Sequence, residues 1–253
     1  MRARSAKVWP VIVLLRLWAV LVALVWLVPG FGLIDLFFSW NPDWPVMVEA
    51  GWGLFVSLGL ALPLLVAAVR PASAQAALAQ LSVAGAALLG AVVLGREAEA
   101  WWMLLLAAVS GLTVWAIARR QPSSSSSPVR LRALVPLALV AVPFALTYAW
   151  RMTTAGWDGP PADITNDVDH YVIQAALALA VPALALLATR SGSLRLSGTS
   201  AALMAGYSGL VSWAFPGTLA GWPAWISVGA MAWAAVVLAV TWWPANARIE
   251  TSA

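Results

Sequence analysis

Long apolar runs, broken by short polar segments, set the pattern of this chain. In order they cover residues 8–28, 46–69, 73–94, 101–117, 133–150, 168–188, 199–215 and 222–243. Each is close to the roughly 20 residues a helix needs to cross a hydrocarbon core of about 30 Å. None has the alternation over about ten residues that marks a membrane β-strand, and backbone groups in lipid must be satisfied within their own segment. The pattern therefore predicts an all-α integral membrane protein with about eight transmembrane helices. Pro63, Pro136, Pro143 and Pro182 fall inside these runs and predict local kinks.

Composition agrees with that class: 62% of residues are apolar, 9% are charged, and the mean hydropathy is +0.88. A soluble domain carries about a quarter charged residues. The first run is too long for a typical signal-peptide core of about 7–15 residues, and no small-x-small cleavage site follows, so it is read as the first membrane helix. The chain has no cysteine, which excludes disulfides, thiolate metal sites and cysteine nucleophiles.

A sequence pI near 10.3 would suit nucleic acid if the basic residues formed a patch, but they are dispersed among the loops. They follow topology instead. Arg2, Arg4, Lys7, Arg70, Arg119, Arg120, Arg130, Arg132, Arg190, Arg195 and Arg248 fall on the side of the N-terminus. Asp35, Asp43, Glu49, Glu97, Glu99, Asp158, Asp163, Asp167 and Asp169 fall on the other, and only Arg96, Arg151 and Glu250 run against the pattern. The positive-inside rule then predicts a multi-pass cell-membrane protein with both termini cytoplasmic and its acidic loops outside.

A Ser- and Arg-rich segment at 119–132 reads as a cytoplasmic linker between a first four-helix half, 1–118, and a second, 133–253. A shift of 120 residues sets Asp43 on Asp163, Val48 on Val168, Glu49 on Asp169, Arg70 on Arg190 and Trp102 on Trp222. With an even number of spans each, the halves would be parallel repeats about an axis along the membrane normal. Any two four-span segments that obey the positive-inside rule share part of this likeness.

The stretch 158–174, DGPPADITNDVDHYVIQ, concentrates four acids with the chain's single histidine. On a helix starting near Asn166, Asp167, His170 and Gln174 share one face, and Asp163 folds back over it. Two carboxylates and an imidazole suit a divalent cation such as zinc or manganese, so Asp163, Asp167 and His170 form a candidate metal site. Glu49, Asp169 and Gln174 extend it at the outer face. The competing reading is helix capping, in which Asn166, Asp167 and Asp169 answer unpaired amides and the positive dipole end. Capping does not require His170.

Arg16 lies within the first span, near enough to the cytoplasmic end to snorkel. Gln75, Gln80, Gln174 and Tyr207 read as interhelical hydrogen-bonding groups. The small-residue rows 82–90 and 201–206 read as close-packing faces, including toward another subunit. Most of the seventeen tryptophans fall near predicted membrane boundaries, as an aromatic belt would. An outer aromatic cleft for a lipid, quinone or saccharide is the alternative use.

A four-plus-four bundle resembles the plan of haem A synthases, but one histidine cannot supply bis-histidine haem ligation. No span holds a lysine for a retinal Schiff base, and no nucleotide-binding or nucleic-acid-binding module is present. Three classes fit, in order of economy. A membrane scaffold or accessory subunit, partnered by lipid and other membrane subunits, needs only topology and packing faces. A metal-dependent enzyme or a lipid or small-solute site around Asp163, Asp167 and His170 adds one divalent metal. A carrier needs midplane polar groups, of which the spans contain few.

Overall fold

The computed structural model describes residues 8–38, 40–98, 100–121, 133–155, 157, 170–190 and 192–242. Among these it is all-helical, with no strand. The helices are α1 (Val8–Leu27), α2 (Gly32–Phe38), α3 (Val46–Leu54), α4 (Leu62–Val69), α5 (Ala74–Gly95), α6 (Trp101–Ala118), α7 (Leu134–Ala155), α8 (His170–Leu187), α9 (Leu194–Ala214) and α10 (Ala224–Trp242). Seven helical stretches are long and apolar enough to cross a membrane, with α3 and α4 joined in one of them. The eighth expected span, α9, is long enough but is not among the seven, because its serines, glycines and Tyr207 dilute its apolar residues.

Two departures from the expected layout matter. The segment 29–45, expected as an outer loop, contains the short helix α2. After α1 the chain reverses through Phe31, whose φ of 59° is left-handed, and α2 folds back along α3. Gly53 makes this approach possible, since a Cβ there would lie 2.9 Å from the Gly32 carbonyl and from Leu36. The run 46–69, expected as one regular helix, instead passes through a π-helical segment, Phe55–Ala61, between α3 and α4. Pro63 supplies the reason, because it has no N–H to donate and its ring crowds the preceding turn.

α3–α4 and α8 form the buried centre: most of their residues are enclosed, whereas the other five membrane-length stretches are mostly exposed. α8 packs on α3, α5, α7 and α9, while α10 packs mainly on α9. The outer faces of α1, α6, α7 and α10 carry exposed leucine, valine and tryptophan, including Leu17, Leu112, Leu139 and Trp225. Arg16 does not extend away from the bundle. Its guanidinium donates to the Ala68 carbonyl, one of the last four of α4, which have no intrahelical donor.

Candidate metal centre

Asp35, Glu49 and His170 come together from α2, α3 and α8. One ligand atom from each lies within 4.8 Å of the others, and the residues are only 6%, 3% and 8% exposed. Trp52 braces the cluster from α3. Its ring stacks on the His170 imidazole at 4.2 Å, and its Nε1 donates to the Gly30 carbonyl at 2.9 Å, in the turn leading to α2.

α8 is locked in register one turn further along. Gln174 Nε2 donates to the carbonyls of Met47 and Val48, both at 2.9 Å, and the Tyr148 hydroxyl proton is shared between Gln174 Oε1 and the Ala220 carbonyl. Gly51 leaves the space for that amide, since a Cβ there would collide with it. Gln174 is thus engaged with backbone beside the cluster, and it holds His170 opposite Glu49.

Burial sets the electrostatics. Desolvation pushes the Asp35 carboxyl from its ordinary 3.8 up to about 8, helped by the negative charge of Glu49 and by a hydrogen bond between the two carboxyl groups. Glu49 Oε1 is buried and has no hydrogen-bond partner among the described residues. An unsatisfied carboxylate oxygen in a dry site is expensive unless a cation or a proton answers it. Bound ions of the zinc type sit roughly 2.0–2.2 Å from nitrogen and oxygen donors. A tetrahedral ion would draw the three ligand atoms to about 3.5 Å apart, a contraction within reach of side-chain rotation.

Of the residues expected to form a metal site, His170 belongs to this cluster, while Asp163 and Asp167 lie outside the described residues, as does Asp169. Glu49, expected only as an outer-face extension, lies at the centre. Asp35 was missed because seven residues between two turns read as loop. Its signal was an acid enclosed by apolar neighbours, Gly32-Leu-Ile-Asp-Leu-Phe-Phe38, where a solvated loop would be polar.

No family model, curated protein or solved structure matches this chain.

Proposed function

We propose that this chain is a multi-pass cell-membrane metalloprotein that holds one divalent transition-metal ion between Asp35, Glu49 and His170. The observation that carries the reading is the orphaned Glu49 Oε1 inside a buried cluster of two carboxyls and an imidazole. Nitrogen and oxygen donors of this kind suit zinc or manganese. Because the ligands come from three helices, the ion ties α2, α3 and α8 together. This serves the scaffold or accessory role that the topology alone suggested. A second reading, metal-assisted catalysis, is favoured by the ligand count, since three protein ligands leave a coordination position for water or substrate. Thermal unfolding of chelator-treated protein tests the metal reading: zinc or manganese should raise the midpoint of the wild type and not of His170→Ala. Equal midpoints with and without metal in the wild type would reject it.

The bundle reads as eight crossings with both termini cytoplasmic, which puts the cluster near the outer surface. A cysteine introduced at Thr154 should react with an impermeant thiol reagent in intact cells, and one at Ser125 should not. The reverse would invert the orientation.

Two parallel halves, 1–118 and 133–253, are supported by matched packing. α1 lies on α4 and the π segment as α7 lies on α8, α5 pairs with α6 as α9 with α10, and α5 meets α8 as α9 meets α3. Gln80 Nε2 also donates to Ser200 Oγ across a separation of 120 residues, the same offset as the sequence shift.

A further inference from the structure

A cavity of about 690 Å³ lies among α7, α8, α9 and α10. Its size falls in the roughly 300–1,000 Å³ range of small-molecule sites. The floor is buried and apolar, with Leu177, Pro182 and Met204 from α8 and α9. The mouth is formed by exposed apolar residues of α7 and α10: Val140, Phe144 and Trp225. Phe144 and Trp225 meet edge to face at its rim, their ring centroids 6.3 Å apart. A cavity open sideways through leucine-like surface faces hydrocarbon, not water, in a membrane-spanning bundle.

Two features select the occupant. The lining runs along α7 from Val140 to Arg151, which at 1.5 Å per residue is about 16 Å. That is about half of a hydrocarbon core of roughly 30 Å, the depth of one leaflet. At the polar end the cavity is bounded by Arg151, an exposed cation for which no carboxylate partner is present among the described residues. Arg151 is also one of the few charges that run against the positive-inside pattern. An apolar slot one leaflet deep with a single cation at its rim matches an acyl chain joined to an anionic headgroup.

We propose that this cavity holds one anionic phospholipid, its chain between α7 and α10 and its phosphate on Arg151. The proposal rests on the bilayer part of the reading above and not on the metal ion, so chelator treatment should leave it unchanged.

Native mass spectrometry of the full chain in detergent tests it, with dioleoylphosphatidylglycerol and dioleoylphosphatidylcholine as probes. The wild type should retain one phosphatidylglycerol per chain, about fivefold more tightly than phosphatidylcholine, the scale of one cation near an anionic headgroup. Arg151→Gln, a change at an exposed position, should bring the two lipids to equal affinity. Ala230→Trp on α10, which fills the cavity from a half-buried position, should abolish retention of both, and Ala205→Phe should do the same from the floor. Equal retention of the two lipids by the wild type, or undiminished phosphatidylglycerol binding in folded Ala230→Trp and Ala205→Phe, would mean lipid only at the outer surface and would overturn the proposal.

Discussion

Gln80 on α5 donates its side-chain amide to the carbonyl of Leu58 at 2.9 Å. In the π register, where the Leu62 N–H reaches Ser57, the donor for Leu58 would be residue 63, which is a proline. The glutamine therefore supplies the hydrogen bond that the proline cannot. Gln80→Leu should destabilise the protein by about 1–3 kcal/mol, the range for stranding a buried polar group. The loss should shrink in a Pro63→Ala background, where a backbone N–H is available. Unfolding of the wild type, the two single variants and the double variant in detergent measures this, and equal losses in both backgrounds would contradict it.

Arg16 makes a comparable contact at the C-terminal end of the same helical stretch, donating to the Ala68 carbonyl. Arg16→Leu should lower stability by about 1.5–3 kcal/mol, as expected for a hydrogen bond from a charged group. Arg16→Lys should recover part of it, since an ammonium can still donate. A silent Arg16→Leu in the same unfolding assay would return this residue to a solvent-directed role.

The helical frame was readable because an apolar run of about 20 residues is a strong, local signal. The π segment was half readable: Pro63 announced a disturbance, but whether a helix kinks or widens depends on whether something like Gln80 meets the freed carbonyl. The site was readable only in His170. Sequence proximity drew attention to Asp163 and Asp167, whereas the carboxyls that meet the imidazole among the described residues are more than a hundred positions away. Such a meeting depends on α2 folding back and on Gly51 and Gly53 admitting close approach, which no periodicity encodes.

Asp35 gives the metal-free protein a specific pH dependence. Its carboxyl moves from 3.8 to about 8 on folding, so between those values the folded state holds a proton that the unfolded state has released. Stability must then fall as pH rises through that window. In chelator, the unfolding midpoint should drop from pH 5 to pH 8, and Asp35→Asn should flatten the profile. An ion has to displace the same proton, so zinc affinity should weaken by up to about tenfold per unit as pH falls below about 8. A wild-type profile indistinguishable from Asp35→Asn would remove Asp35 as the titrating group.

Metal content per chain tests most directly whether Asp35, Glu49 and His170 hold one ion. Protein purified without chelator, loaded with zinc or manganese and desalted, should carry about one ion per chain by elemental analysis. Asp35→Asn, Glu49→Gln and His170→Ala should each lose it while keeping wild-type helicity, and Asp163→Asn with Asp167→Asn should retain it. Negligible metal in the wild type, or equal metal in the wild type and all three single variants, would contradict the claim and leave a carboxyl pair that shares a proton.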